Sequence, residues 1–328
     1  MNLSIPMKKI ECIHQEGKMK LQSKFEQLVH LYFGDKGASW LKRLPELIHY
    51  CEQKWPLKVQ DPYALSINYV APALLNNGNE VVVKICLPGK EFLNELEALQ
   101  LLGEKSIVKL IDYDKDKGLL ILQKLSPGIT LAEVKDDEEA CHIAAKVLRK
   151  LTIAVPVNNR LPTTQAKEDS LRTLVIENTQ GVGPIYQDTL EKALQTCTYL
   201  HQTPKQQLLL HGDFHHYNIL YSGEDSWAAI DPKGLIGELE FDVIQFLLNK
   251  LPNQGVYELT EKRVNIFTEE LQLDKERLLL WGFCKAVLAT SWTIDGDRYD
   301  QEFFQMIDIF ERLYEVHFGK LIKNLDID

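Results

Sequence analysis

LLLHGDFHHYNILYSGEDSWAAIDPKG, residues 208–234, sets three apolar runs between polar ones. Leu208-Leu209-Leu210, Asn218-Ile219-Leu220-Tyr221 and Trp227-Ala228-Ala229-Ile230 have the length and residue types of buried strands. The polar residues between them then collect at one loop edge. They include Asp213, Asn218 five residues on, and Asp231 thirteen residues further. A lone Asp or Asn in a loop is commonly a turn or cap residue. Three oxygen-bearing side chains at this spacing, framed by strands, point instead to one shared site.

Phosphoryl transfer needs such a set. One carboxylate orients the acceptor hydroxyl and takes its proton, while an amide oxygen and a second carboxylate hold Mg²⁺ against the nucleotide phosphates. The order Asp, Asn at +5, then Asp beyond a strand pair matches the kinase arrangement. Asp213 is therefore the expected base, and Asn218 and Asp231 the expected Mg²⁺ ligands. Mg²⁺ keeps water and phosphate ligands, so one Asn and one Asp suffice. His215 and His216 are adjacent in an extended segment and point to opposite faces, which argues against a metal-binding pair.

Upstream, residues 57–125 read as short strands: LKVQ, ALSINYV, EVVVKICL, VKLIDYD and GLLILQKL. Asn76-Asn77-Gly78-Asn79 is a hairpin turn, and Lys90 to Leu102 a helix with Phe92, Leu93, Leu96, Leu99 and Leu102 on its apolar face. Lys84 sits inside EVVVKICL, where a buried ammonium needs an anionic partner. The helix offers Glu91, Glu95 and Glu97; Glu95, near its middle, is the expected one. A Lys–Glu pair of this kind aligns ATP in kinases, and a purely structural ion pair is the alternative. No G-x-G-x-x-G precedes Lys84, and there is no Walker P-loop. Backbone groups of residues 123–125, at Gln123 and Leu125, are placed to meet adenine.

Residues 1–20 read as a loose leader. Residues 21–56 read as two helices separated by Gly34-Asp35-Lys36-Gly37, with one stripe of Leu28, Leu31 and Tyr32 and a second of Trp40, Leu41, Leu44, Leu47, Ile48 and Cys51. Ser126-Pro127-Gly128 breaks the chain, and helices follow over 137–152, 165–177, 184–202, 238–250, 258–271, 275–293 and 299–323. The expected fold class is α+β, a protein-kinase-like two-lobed fold. Its N-lobe (57–124) is a small antiparallel sheet with one helix, onto which residues 21–56 pack. Its C-lobe (125–328) is mainly helical and carries the catalytic loop and substrate site.

Composition narrows the partners. The chain is 45% hydrophobic and 26% charged, with a net charge of −10, a globular composition whose acidity opposes nucleic-acid binding. The six cysteines never form C-x-x-C, which excludes a zinc ribbon and suits a reduced, cytoplasmic protein. The N-terminus lacks a secretory apolar core, and no apolar run approaches the ~20 residues of a membrane span. A soluble protein with no membrane partner is expected.

These residues resemble the aminoglycoside phosphotransferase family, in its streptomycin kinase and hydroxyurea phosphotransferase branch. The resemblance extends from about Gly34 onward. It rests on WLKRLPEL at 40–47, NYVAPA at 68–73, VVVKI at 81–85, NELEAL at 94–99 and LSPGITL at 125–131. The most specific segments are LLLHGDFHHYNIL at 208–220 and AIDPKGLIGELEFDV at 229–243. It implies an ATP- and Mg²⁺-dependent phosphotransferase acting on a hydroxyl of a small molecule, aminoglycosides such as streptomycin among the acceptors. Asp213 is then the base, Asn218 and Asp231 hold Mg²⁺, and Lys84 with Glu95 holds the α- and β-phosphates. Gln123 to Leu125 form the adenine hinge, and His215 or Lys233 supplies charge near the transferred phosphoryl group. Asp242 caps loop N–H groups. A cationic acceptor calls for acidic side chains, for which Asp295 and Asp297 stand out; the same Asp-Gly-Asp also suits a solvated turn. A housekeeping metabolite as acceptor, or a non-catalytic nucleotide-binding protein, are the alternatives. Phe214, Tyr217, Gln123 and Glu238-Leu239-Glu240-Phe241 depart from the family's usual residues.

Overall fold

The computed structural model describes residues 21–103 and 105–321, so the expected leader at 1–20 lies outside the described residues. The chain divides into two compact units. The first runs to Thr130 and takes back Leu220–Ile230; the second comprises Leu131–Ile219 and the chain from Asp231 onward.

The first unit contains α1 (Ser23–Lys54), β1 (Leu57–Val59), β2 (Tyr69–Leu75), β3 (Glu80–Ile85), α2 (Lys90–Leu102), β4 (Leu110–Asp114) and β5 (Leu119–Gln123). The strands form one antiparallel sheet in the order β1-β2-β3-β5-β4. Alternate residues of a strand face opposite sides. Val81, Val83 and Ile85 therefore share a core with Trp40, Leu44 and Cys51 of α1, while Lys84 faces the other way. The Asn76–Asn79 turn joins β2 to β3 as expected, closed by Leu75 N–H to Asn79 O at 2.8 Å with Gly78 at φ +85°.

Two expectations here need correction. β2 does not end at Val70 but continues through Pro72 to Leu75. Pro72 turns its carbonyl to the Gln60 N–H, just past the end of β1, so its missing N–H takes nothing from the β2–β3 ladder. In the part of α1 before Gly34, Leu31 and Tyr32 are exposed, and the buried residues are Phe25 and Val29. The helical path breaks at Gly34 alone (φ 52°, ψ −135°), and Phe25 then meets Trp40 edge-on at 6.0 Å. That contact fixes which face turns inward.

The second unit contains α3 (Asp137–Leu151), β6 (Ile153–Ala154), α4 (Gln165–Glu177), α5 (Gln187–Gln202) and β7 (Leu208–Leu210). The hairpin of β8 (Ile219–Gly223) and β9 (Ser226–Ala229) follows, then β10 (Leu235–Gly237), α6 (Leu239–Leu247), α7 (Val256–Leu271), α8 (Lys275–Trp292) and α9 (Gln301–Phe318). The helices lie within a few residues of their expected bounds. Asp136, Asp274 and Asp300 cap α3, α8 and α9 through their carboxylates. Helix α8 is buried on all sides from Arg277 to Thr290. Gly282 lets the Phe310 ring of α9 approach so closely that a Cβ there would lie 2.4 Å from it.

The expected boundary at 124/125 moves to Thr130/Leu131. The β8–β9 hairpin, expected with the helical part, belongs to the first unit. Backbone pairing explains both: Val108 N–H to Ala229 O, Ala229 N–H to Ser106 O and Tyr221 N–H to Ile129 O are each 2.8 Å. Leu208–Leu210 pairs not with that hairpin but with the short strands β6 and β10. Cys51, Cys86, Cys141, Cys197 and Cys284 are buried and in no disulfide. Among the described residues, no helix is long and apolar enough to cross a membrane.

Candidate active site

The loop after β7 is held from behind. Asp242, on the first turn of α6 and 1% exposed, accepts the Gly212 N–H at 2.7 Å and the His211 N–H at 2.8 Å. Lys233 N–H donates to His211 O at 2.7 Å, so the His-Gly-Asp and Asp-Pro-Lys-Gly loops are tied by backbone. Gly212 has φ +83°, a conformation that favours glycine.

This frame brings the expected residues together. Asp213 is 5% exposed. Asn218 Nδ2 donates to Asp213 O at 3.0 Å and lies 3.5 Å from its Oδ2. His215 Nδ1 accepts the Tyr217 N–H at 3.2 Å, and its Nε2 lies 3.2 Å from Asn218 Nδ2 and 3.6 Å from Asp213 Oδ1. Burial alone would push the Asp213 carboxyl up. The interaction with His215 and the positive charge of Lys233 outweigh burial and the repulsion of Asp231. The carboxyl is held below its ordinary range, so it is an anion at neutral pH.

Asp231 adopts φ +59°, a region that non-glycine residues rarely enter and that concentrates at functional sites. Its Oδ2 holds the Lys233 ammonium at 3.1 Å. The donor set fits Mg²⁺. Asn218 donates through Nδ2, so its Oδ1 remains an acceptor, and the Asp231 carboxylate already carries a cationic stand-in. No cluster of three His, Cys, Asp or Glu side chains suited to a metal occurs among the described residues. His216 is buried and stacked on Phe246 at 3.7 Å, where burial and neighbouring cations push its pKa well down.

In the first unit, Lys84 and Glu95 pair at 2.5 Å, each 5% exposed. The choice among three glutamates thus falls on the residue whose helical position faces β3. Leu125 makes no backbone–backbone hydrogen bond among the described residues, whereas the Gln123 N–H is taken by Lys109 O at 2.9 Å. Asp295 lies exposed in a tight turn, its N–H bonded to Arg298 O at 2.9 Å and its O accepting the Arg298 N–H at 3.0 Å.

Three charged residues were missed. Glu238 is 1% exposed and takes a bidentate pair of bonds from Arg277, at 2.7 and 2.8 Å, plus the Trp281 Nε1–H at 2.9 Å. Lys285 is buried in α8, and Lys167 half-buried in α4. Lys285 had a legible signal: it interrupts the apolar run LLLWGFCKAVLA, as Lys84 interrupts its strand.

A β-rich unit bearing a buried Lys–Glu pair, and a helical unit bearing the Asp–Asn–Asp loops, define the kinase-like class of phosphotransferases. The sequence pattern of the aminoglycoside/hydroxyurea antibiotic resistance kinases matches residues 58–296, and the chain belongs to that family. It is similar to a streptomycin 6-kinase of Streptomyces griseus, 28% identical over 272 residues covering 80% of this chain and 87% of that one. A hydroxyurea phosphotransferase of Kitasatospora aureofaciens is 26% identical over 274 residues, covering 81% of this chain and 78% of that one. The structure of an amicoumacin kinase bound to AMP-PNP, Ca²⁺ and Ami shares the fold. Its TM-score is 0.59 at 18% identity, covering 86% of this chain and 96% of that one. The chain is a small-molecule kinase.

Proposed function

We propose that the chain transfers the terminal phosphoryl group of ATP to a hydroxyl of a small acceptor, with Asp213 as base. The carrying observation is the carboxylate of Asp213, buried yet held anionic, within reach of Asn218 and fixed by the Asp242 clamp. The acceptor oxygen attacks the γ-phosphorus while its proton passes to Asp213, and the bond to the β–γ bridging oxygen breaks, releasing ADP. Asn218 and Asp231 are the residues that would hold Mg²⁺, which when bound neutralises phosphate charge. Lys84, oriented by Glu95, holds the α- and β-phosphates, and Leu125 meets adenine through its backbone. His215 and Lys233 offer positive charge to the transferred group.

Streptomycin and hydroxyurea, named for the relatives, are the first acceptors to try. The exposed Asp295 and Asp297 support contact with a cationic part of the acceptor. The test is ADP release from Mg-ATP on addition of hydroxylated amines, sugars and acids. Acceptor-dependent release that disappears in Asp213→Ala, with Mg-ATP binding retained, is the expected result. Full transfer by Asp213→Ala removes Asp213 from this role.

A further inference from the structure

A second constellation lies in the helical unit and shares no residue with the Asp–Asn–Asp loops. Thr163 pairs with Ile236 in a parallel bridge, Thr164 donates its N–H to Ile236 O at 2.9 Å, and α4 begins at Gln165. Thr164 thus stands where an extended segment turns into a helix, a place that sets a hydroxyl ahead of the helix's first N–H groups. Its Oγ1 lies 3.2 Å from His201 Nε2 on α5, and His201 Nδ1 lies 2.9 Å from Glu168 Oε2, one turn into α4. Glu168 is buried and also accepts from Gln165 Nε2 at 2.8 Å, Arg172 at 2.7 Å and Thr198 Oγ1 at 3.0 Å. Hydrogen bonds join all three side chains.

These contacts fix the protons. Burial would push the Glu168 carboxyl up, but the bonds from Gln165, Thr198, His201 and Arg172 hold it below its ordinary range. As an anion it only accepts, so His201 Nδ1 carries a proton. The neutral imidazole then has its lone pair on Nε2, and the Thr164 hydroxyl donates to it. Cys197 Sγ stands farther from Nδ1, at 3.8 Å. The Thr164 methyl packs on Gly237, where a Cβ would lie 2.5 Å from Cγ2, and this contact sets the side chain's rotamer. Thr164 and His201 line a cavity of about 190 Å³ whose other walls include Leu200, Pro204 and Trp281. A hydroxyl bonded to an imidazole, itself oriented by a buried carboxylate at the edge of a cavity, is the arrangement of covalent acyl transfer.

We infer that Thr164, His201 and Glu168 form a second, ATP-independent site that hydrolyses small esters through an acyl group carried on Thr164. It stands apart from the phosphotransfer reading. Thr164 Oγ1 attacks the ester carbonyl carbon while its proton passes to His201 Nε2, and Glu168 steadies the imidazolium. The carbon–oxygen bond to the alcohol breaks, and the alcohol leaves with that proton. Water then attacks the Thr164 ester and gives a proton to His201. The carboxylic acid departs as that proton returns to Thr164 Oγ1. The Gln165 N–H, first of α4 and held by Thr163 Oγ1 at a long 3.3 Å, is the donor beside the developing oxyanion. The cavity limits the acyl group to a few carbons, and Leu200, Pro204 and Trp281 suit an apolar one.

The test incubates the full chain with p-nitrophenyl acetate in the absence of ATP, quenches in acid, and maps the peptides by mass spectrometry. The expected result is one acetyl group on Thr164 together with steady release of p-nitrophenol. Thr164→Val should abolish that adduct and Thr164→Ser should retain it. His201→Asn should slow the release by about 10²–10⁴-fold, as for loss of a general base. Glu168→Gln tests the positioning role. Burial lowers the His201 pKa, while Cys197 and Glu168 raise it above its ordinary value, so removing the Glu168 anion should move the rise of rate with pH to lower pH as the maximum falls. Mapping the adduct on the unsubstituted chain requires no variant to fold. Acetyl groups on lysines alone overturn the inference and leave the kinase reading intact. So does p-nitrophenol release unchanged in both Thr164→Val and His201→Asn.

Discussion

Asp242 makes no contact with a reacting atom in the proposed mechanism, yet its removal should be felt both in stability and in rate. Asp242→Ala strands two buried N–H groups, those of His211 and Gly212, now bonded at 2.8 and 2.7 Å. Each unsatisfied donor costs about 1–3 kcal/mol, or roughly 2–6 kcal/mol for the two. Relief of a fully buried carboxylate, whose pKa burial pushes up, offsets part of this, so a net loss of about 2–4 kcal/mol is expected. Asp242→Asn keeps one acceptor and sets its NH₂ against the other N–H, for about 1–3 kcal/mol. Because the folded pKa is raised, the folded state binds the Asp242 proton more tightly than the unfolded chain. Its contribution is therefore greatest below about pH 4 and declines as pH rises through the folded pKa. The deficit of Asp242→Asn should accordingly shrink as pH rises from about 4. Urea unfolding at several pH values measures this. Loosening the loop should also lower kcat by roughly a hundredfold, since an ångström of misplacement costs about that much. Loss of less than about 0.5 kcal/mol in both variants, with kcat unchanged, would refute the clamp.

Other consequences are simpler. Asp213→Asn should lower kcat by about 10²–10⁴-fold, and the acid limb of the wild-type kcat/KM profile should fall below the ordinary carboxylate range, near pH 4. A limb at pH 6 assigned to Asp213 contradicts its anionic environment. The same lowered pKa makes its stability contribution present above about pH 4 and lost as pH falls through the folded value. Glu95→Ala leaves the buried Lys84 ammonium without that partner and should cost about 3–5 kcal/mol in urea unfolding, with a raised KM for ATP. Gly282→Ala drives a methyl into the buried Phe310 ring and should cost about 1–3 kcal/mol; an unchanged melting curve shows that α8 and α9 part more easily than their packing implies.

What the sequence made legible was what local pattern controls. Helix α8 declared itself because apolar residues fill its whole circumference, and β3 because Val81, Val82, Val83 and Ile85 directly follow a hairpin turn. Lys84 and Glu95 were legible since a lysine in such a strand has few ways to exist. What escaped depended on contacts distant in the chain. The three-residue strand β10 has no signal except its pairing with β7, and the β8–β9 hairpin left its expected unit through bonds to residues 106 and 108. Nothing near Leu31 said that Phe25 would meet Trp40 and turn that stripe outward.

The departures from the family's usual residues separate by what they touch. Phe214 is fully buried and edge-on to the His211 ring at 5.8 Å, and Tyr217 is edge-on to His215 at 6.0 Å. Both pack against the catalytic loop's own histidines, so they set the loop's shape. Glu238 is committed to Arg277 and Trp281, and Glu240 accepts the Asp274 N–H ahead of α8. Their carboxylates are spent on joining α6 to α8, the helix that carries Lys285. Substituting other residues into Glu238–Phe241 would therefore first loosen α6 from α8, and with α6 the Asp242 carboxylate that holds the loop ahead of Asp213.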